Sequence, residues 1–524
     1  MTNPSLDKPT EHNEGNREVD VIVVGYGLAG GVSAISAHDA GAEVLILEKT
    51  PHPGGCSILA GGAAIYASDV DDAVKYLTRL SSGTVNSKVV QAMAQGLFDL
   101  PKFFEELAKT DQAKVFVRHL TGDTSGATYP NLPGAKSVGG ALMISEIPGF
   151  TGFRWILARN AAGQRLMKFV MDNVDSRKIP VLLETPAKSL LQDSSGNITG
   201  VIAESKGRKV TITAKRAVIL ASGGFEHNEW LKLQYFEAQP VYSMAPLSNT
   251  GDGVIMAQKV GAALWHMWHF HGSYGFKFPE FPVAFRFSLG GFRNPNLRMP
   301  WINVDKFGKR FMNEYPRAPQ DTGHRALEFY DSEIQDFPRI PCYLIFDESG
   351  RKLRPIASPL LTTTDATYQW SEDNGAEIEK GWIIKADTLE ELAAKITVDP
   401  STLEKTVTQW NQFYEKGEDL DFKREIGTMV SIKEPPFYAI QAWPIITNTQ
   451  GGPEHNEKQQ IVDSYGNPIS RLYAAGELGS FYGHLYQLGG NIAECFVEGR
   501  IAGEHAAAEK PIYRGAKYAS AINR

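Results

Sequence analysis

The segment VDVIVVGYGLAGGVSAISAHDAGAEVLILEK, from Val19 to Lys49, constrains the fold more than any other part of the chain. Val21–Val24 is a short β-branched apolar run that fits the centre of a parallel sheet. Gly25, Gly27 and Gly30 follow at G-x-G-x-x-G spacing, with Leu28 and Ala29 between the last two. The first glycine permits the tight turn and the second lets backbone approach a pyrophosphate. The third lets the following helix sit close on the strand. Ala34, Ala37 and Gly41 continue a small-residue helix face, and a second strand, Glu43–Leu47, delivers Glu48. A carboxylate there can accept both hydrogen bonds from an adenosine ribose. A glycine turn alone would say little. With its flanking strands, small-faced helix and terminal acid it predicts a dinucleotide-binding βαβ unit.

The 524 residues leave room for two or three domains and a large core. A net charge of −7 with both signs well mixed argues against a nucleic-acid surface or a polybasic membrane patch. Cys56, Cys342 and Cys495 form no CxxC or CxxCH pattern. That excludes c-type haem attachment, argues against a disulfide framework and suits a reducing compartment. Residues 1–17 are polar, lack the apolar core of a signal peptide and are expected to be a disordered tail. No apolar run approaches the ~18 residues that a membrane helix needs. A cytoplasmic protein acting on a small molecule is expected, without nucleic acid or a membrane span. The electron donor or acceptor and the oligomeric state stay open.

Which dinucleotide binds is indicated further along. After Glu48 and Lys49 comes a loop with Gly54-Gly55, Cys56, Ser57 and Gly61-Gly62. A bare nicotinamide site has no need of it. A flavin does, because its pyrophosphate and ring require backbone amides on both sides without side chains in the way. Arg208–Asn228 contains a buried strand, Ala217–Ala221, that ends in Gly223-Gly224. NTGDGVIMAQKVGAAL (Asn249–Leu264) starts a helix near Asp252. Near the C-terminus a strand runs into Gly476-Glu477, and a Gly489-Gly490-Asn491 turn opens the last helix.

These segments, together with GKRFMNE (Gly308–Glu314) and PPFYAI (Pro435–Ile440), occur in a fixed order from Val19 to about Ala508. In that set and order the chain resembles the flavoprotein superfamily of fumarate reductases, succinate dehydrogenase flavoprotein subunits and 3-ketosteroid dehydrogenases. The resemblance implies an α/β fold: a Rossmann-like FAD-binding domain on a parallel sheet, with an inserted α+β cap. The FAD domain is expected over 18–275 and 435–515, and the cap over 276–434. The resemblance also implies bound FAD, with Glu48 on the ribose. Gly476, Glu477, Gly489, Asn491 and Ile492 would surround the ribityl chain and ring, with Lys49, Ala187, Ala221, Gly223, Asn249 and Asp252 elsewhere along the cofactor. Membrane-complex relatives attach FAD through a histidine in the loop before the second glycine pair. Gly55 and Cys56 stand there, and His52 is too far upstream, so non-covalent FAD is expected. Within the cap, Ser401 with Glu404 three residues on reads as a helix start.

The superfamily moves a hydride between flavin and a carbon β to an activating carbonyl, while a side chain exchanges the α-proton. Fumarate reductases grip a substrate carboxylate with an arginine just before LGGN; here that residue is Gln487, preceded by Tyr486. Tyr486 and Gly490 resemble the ketosteroid-dehydrogenase pair in which a hydroxyl and a backbone amide polarise a ketone. After GKRFMNE come Tyr315, Arg317, His324 and Arg325, and Arg317 falls one residue short of the fumarate-reductase arginine. Arg317 is the first candidate for proton exchange, although its ordinary pKa is above 12. His324 and Arg325 are its rivals, histidine being the side chain type whose ordinary pKa lies nearest neutrality. Ten aromatics between Trp265 and Phe292 could wall a pocket for a flat apolar substrate or pack the core. Asp321, Arg293 and Arg298 could line its polar end. His266, His269 and His271 lie close together, but no carboxylate or cysteine at ligand spacing completes a set, so no metal is expected. Three functions follow as expectations. The first is oxidation or reduction of a CH–CH bond beside a ketone in an apolar ring. The second is reduction of an unsaturated carboxylate such as fumarate or urocanate, and the third is a flavin subunit that only relays electrons.

Overall fold

The computed structural model describes residues 17–110, 112–119, 126–156, 161–288, 294–360 and 367–512. Arg17 already belongs to the first strand. The rest of the expected tail, and Phe292 and Arg293, lie outside the described residues.

Arg17–Val24 sits at the centre of an eight-stranded sheet, between Val44–Leu47 and Arg208–Leu220. It is parallel to both, with Val21 opposite Val44 and Ala217. Pro468–Ala474 extends the parallel core on the far side of Arg208–Leu220. Val21, Ile22 and Val23 are fully buried, as β-branched residues covered on both sheet faces should be. The helix Leu28–Asp39 packs on the last helix, Gly490–Ala508, along their small faces. A Cβ at Gly30 would lie 1.9 Å from the Gly25 carbonyl oxygen, and one at Gly503 would lie 2.4 Å from that of Ser33. No larger residue fits either position.

A second sheet of seven strands forms the cap, and its borders differ from those expected at 276 and 434. Phe270–Phe276 pairs antiparallel with Phe437–Thr449, which also carries Cys342–Asp347 and Ile384–Ala386. Even Tyr242–Ser243 joins this sheet. The hydrogen-bond ladder thus runs through segments that the sequence pattern placed in the FAD domain. Phe437–Thr449 ends against that domain, where the Thr449 N–H donates to Glu226 at 2.7 Å.

Most of the described aromatics of the run pack the cap interior, while Trp265 and Phe270 pack in the FAD-domain core and Trp268 is exposed; none of them lines the cofactor cleft or the neighbouring cavity. Phe276, Phe278, Phe285 and Phe287 are buried with Trp301 and Trp370, and Phe278 stacks on Trp382. The helix expected to start at Ser401 spans Pro400–Lys416 and is capped by Asp399, which accepts from Thr402 N–H at 2.8 Å. Proline suits the first helical position, so the cap must precede it. No helix among the described residues is long and apolar enough to cross a membrane.

Candidate active site

The glycine turn, the end of the second strand and the Gly54–Ser57 loop enclose a cleft. It is lined by Gly25, Gly27, Leu28, Ala29, Glu48, Lys49, Gly55, Cys56, Ser57, Ala187, Ala221, Gly223, Asn249, Asp252 and Glu477. The helix Leu28–Asp39 begins at Gly27 with no side-chain cap. Its first amides therefore face the cleft at the positive end of the helix dipole, although Leu28 N–H is already taken by Ser57 Oγ at 3.1 Å. A Cβ at Gly25 would lie 2.3 Å from the Ala221 carbonyl oxygen, so backbone alone can form this wall. The Glu48 carboxylate accepts from Tyr26 N–H at 2.9 Å and from Thr50 N–H and hydroxyl at 2.8 Å. Lys49 is held by Asp252 at 2.8 Å and by Thr250 at 2.7 Å. A bare glycine wall, an uncapped helix start and a fixed carboxylate fit the pyrophosphate and ribose of FAD.

At the inner end of the cleft, Glu477 accepts from Asn448 at 2.9 Å, and Glu226 accepts from Asn249 at 2.9 Å. Burial and the neighbouring Glu226 push the Glu477 carboxyl well up. Cys56 is contacted by Asn249 at 3.2 Å, and burial holds its thiol protonated.

Seven residues expected at the cofactor do not line this cleft. Gly30 packs helix on strand, as above. A Cβ at Gly62 would lie 2.6 Å from the Ala162 backbone, and Gly61 faces open space. Gly476 donates its N–H to Glu498 at 2.9 Å. Gly489 takes a left-handed φ of 82° as the cap of the last helix. Asn491 is spent on Gln450, Ser480 and Glu494, and Ile492 is buried.

A second cavity, of about 310 Å³, is lined by Arg118, Gly126–Thr128, Pro130, His271, Pro295, Arg317–Asp321, Tyr486 and Leu488. The last helix links the two sites. Its Cys495 lines the cleft, while Tyr486 and Leu488, just before its start, line the cavity. The short helix Pro319–Thr322 packs against Phe270–Phe276, where Thr322 bridges Gly272. This contact carries Asp321 up to His271 of that strand and to His269 just before it.

Tyr486 is buried with its ring 4.1 Å from that of His271. Its N–H donates to Asp321 Oδ2 at 2.9 Å, and its hydroxyl accepts from Asn491 N–H at 3.4 Å. Burial raises the phenol pKa, so the group is a hydrogen-bond donor at neutral pH. Gly490 was expected to supply a second donor, but its N–H is committed to the Gln487 carbonyl at 2.7 Å. Gln487 itself is fully buried. It accepts from Tyr76 at 2.7 Å and Thr128 N–H at 2.9 Å, and it donates to Leu488 and Gly126. It ties the Gly126–Thr128 segment to the helix start and has no group left for a ligand.

The proton candidates separate. Arg317 lines the cavity, is exposed, and has no hydrogen-bond or ion-pair partner among the described residues. His324 lies outside the lining, stacked 3.9 Å from Phe270 and paired with Glu328. Arg325 is turned away onto the His484 carbonyl and the face of Trp268. Tyr315 is buried in the cap and accepts from Asn294 N–H at 3.0 Å. Asp321 enters the site with a stronger role than its place in the sequence suggested. Only the packing of the short helix on Phe270–Phe276 brings it to Tyr486 and His269.

The chain matches the FAD binding domain family over residues 20–492 and belongs to it. It belongs to a family of FAD-dependent oxidoreductases whose relatives include dehydrogenases and reductases acting on CH–CH and C=C bonds. Among curated proteins it is 28% identical to a urocanate reductase of Eggerthella lenta, over 94% of this chain and 75% of that protein. It is 27% identical to a 3-oxosteroid 1-dehydrogenase of Mycolicibacterium smegmatis, over 93% of this chain and 96% of that one. Among solved structures, the 3-ketosteroid delta1-dehydrogenase of Sterolibacterium denitrificans superposes with a TM-score of 0.78 at 24% identity, covering 94% of this chain and all of that one. A flavocytochrome c3 fumarate reductase gives 0.67 at 23% identity, over 94% of this chain and 78% of that one.

The cleft carries a prediction of its own. Acid precipitation of the holoprotein should release all the flavin to the supernatant, and yellow colour left on the pellet would exclude a non-covalent site. Glu48→Ala should weaken FAD binding by about 1.5–3 kcal/mol for each charge-assisted bond lost, read by fluorescence titration of the apoprotein.

Proposed function

We propose that this enzyme interconverts a CH–CH and a C=C bond beside the carbonyl of a cyclic, largely apolar ketone. The observation that carries this reading is the pairing of Tyr486 with Gln487. The tyrosine presents a protonated phenol at the cavity, while the residue after it has no free group with which to grip a carboxylate. Pro130, Pro295, Pro319, Ala127, Ala318 and Leu488 give the cavity apolar walls. FAD, when bound, supplies a two-electron hydride acceptor or donor. The Tyr486 hydroxyl, polarised by Asn491 N–H, holds the carbonyl oxygen and stabilises the enolate as the α-proton leaves. Arg317 is the group that meets that proton, being the cavity cation with no protein partner among the described residues.

Arg118 supports a second reading. Two guanidiniums on one cavity suit a carboxylate, and Arg118 shares the lining with Arg317. Dye-linked turnover by the purified holoenzyme, with cyclic ketones and enones set against fumarate, succinate and urocanate, decides between them. The expected result is turnover of a cyclic ketone or enone, reduced about 10²–10⁴-fold in Arg317→Ala with the flavin spectrum intact. Turnover of a carboxylate with none of any cyclic ketone would move the assignment to the second reading. Absence of any turnover with an artificial donor or acceptor would leave the electron relay.

A further inference from the structure

Two cap arginines stand on one sheet face without a counterion. Arg286 lies opposite Gly275 where Phe270–Phe276 pairs with Phe285–Arg286. Side chains alternate between the faces of a strand, and residues directly opposite share a face. Phe285 and Phe287 join Tyr274 and Phe276 in the cap core. Arg286 and Ser288 therefore point the other way, with Ser273 and His271. Arg354 comes to the same side from elsewhere in the chain: its Nη2 donates to the Ser288 hydroxyl at 2.7 Å and to the Ser288 carbonyl at 3.1 Å. Both arginines are half-buried. Arg286 Nε, Arg354 Nη1 and Ser273 Oγ are buried and have no hydrogen-bond partner among the described residues.

A guanidinium drawn out of water is costly unless an anion faces it. Arg310 and Arg424, also buried in the cap, are answered by Glu314 and, for Arg310, by Asp419 as well. Arg286 and Arg354 have no such partner among the described residues. Burial alone acts on Arg286, lowering it to about 10. Burial also lowers Arg354, with only Tyr315 acting against it. Both stay cationic at neutral pH, so the balancing negative charge has to come from outside the chain.

The two arginines adjoin the cavity. Burial pushes its wall residue His271 down to about 3, and the Arg286 charge acts in the same direction. Tyr315, the group that acts on Arg354, accepts from Asn294 N–H, and the next residue, Pro295, is part of the wall. His271 packs its ring 4.1 Å from that of Tyr486. From His271 to the position opposite Arg286 the strand runs four residues, about 13 Å. We propose that Arg286 and Arg354 form a carboxylate subsite, and that the substrate is a cyclic keto acid. Its ketone meets Tyr486, and its carboxylate, on the order of 10 Å away, lies against the two guanidiniums. The place of the ketone rests on the function proposed above; the anion subsite does not. Paired guanidiniums give a carboxylate several charge-assisted N–H···O bonds, which neither water nor the apolar walls can match.

The probes are cyclohexanone carrying a para-propanoate side chain and its methyl ester, bound to the holoenzyme and followed by calorimetry. Wild type should bind the acid about 10-fold or more tightly than the ester. Arg286→Gln and Arg354→Gln should each bring that ratio to within a few-fold of one. The holoenzyme with Arg286→Gln should melt no lower than wild type, since an unanswered buried charge has been removed; an arginine needed only for packing would lower it. Equal binding of acid and ester by wild type would overturn the subsite. So would a preference for the acid that survives in both variants, which would place the carboxylate at Arg118 and Arg317. Acetate and phosphate form the other arm: binding of either that depends on Arg286, with no competition against the keto acid, would give the site to a free anion and overturn its role in the substrate. Binding of the acid that depends on Arg286 and Arg354, without turnover of any ketone, would remove the ketone reading and leave the subsite standing.

Discussion

Tyr486→Phe is expected to lower kcat about 10²–10³-fold, the effect of losing one donor to a developing oxyanion, while KM stays within a few-fold. The substitution removes one oxygen and keeps the ring against His271 and Tyr482. The Tyr486 N–H bond to Asp321 is backbone and also survives. Substrate shape is therefore still recognised, and only the charge that forms on the carbonyl oxygen loses its partner. Steady-state kinetics on the best panel substrate provides the measurement. A variant with normal kcat would show that the carbonyl is held elsewhere, with Arg118 and Arg317 the first alternatives.

Glu314→Ala is expected to destabilise the cap by about 3–5 kcal/mol, the cost of leaving buried charges without their partner. Glu314 is fully buried and bonds Arg310 at 2.8 and 2.9 Å and Arg424 at 3.0 Å, and it accepts from Asn303 N–H at 3.1 Å. Asp419 holds the other edge of Arg310. Removing this carboxylate leaves Arg310 with Asp419 as its one charged partner and Arg424 with backbone carbonyls and Thr428 alone, in a buried site. Urea unfolding of the holoprotein reads the loss, and a midpoint unchanged from wild type would refute it. The pH dependence has a definite sign. Burial raises the Glu314 carboxyl, but Arg310 and Arg424 outweigh it and hold it below its ordinary value. Its contribution is thus present above the unfolded-state carboxyl pKa and is lost as pH falls through the depressed folded value. GKRFMNE is consequently a packing motif: its arginine and glutamate close the cap, and the chain beyond it delivers Arg317 and Asp321 to the cavity.

Local backbone chemistry was legible in the sequence. Most of the cleft lining follows from Gly25, Gly27, Glu48, the Gly54–Ser57 loop, Asn249 and Asp252, because a phosphate cradle needs bare backbone at fixed spacing. The Gln487-for-arginine contrast before the last helix was legible for the same reason, being a change of residue type inside a short motif. Choices among neighbours within eight residues of one another were not. Arg317, His324 and Arg325 look alike in sequence, yet only Arg317 reaches the cavity; the other two are turned onto Phe270 and Trp268. The Gly490 amide looked free because a sequence does not show that the preceding turn closes onto it.

The sequence by itself determined the βαβ start, the FAD cleft and the superfamily order of segments, since each is set by contacts within a strand, a turn or one helix face. Tertiary structure alone decided that Phe270–Phe276 and Phe437–Thr449 belong to the cap sheet and that most of the described aromatic run packs the cap interior. It alone brought Asp321 to Tyr486 and His269. Sheet partners, packing partners and pairs of buried polar atoms come from elements far apart in the chain, and which distant surfaces meet is fixed only when the whole core closes.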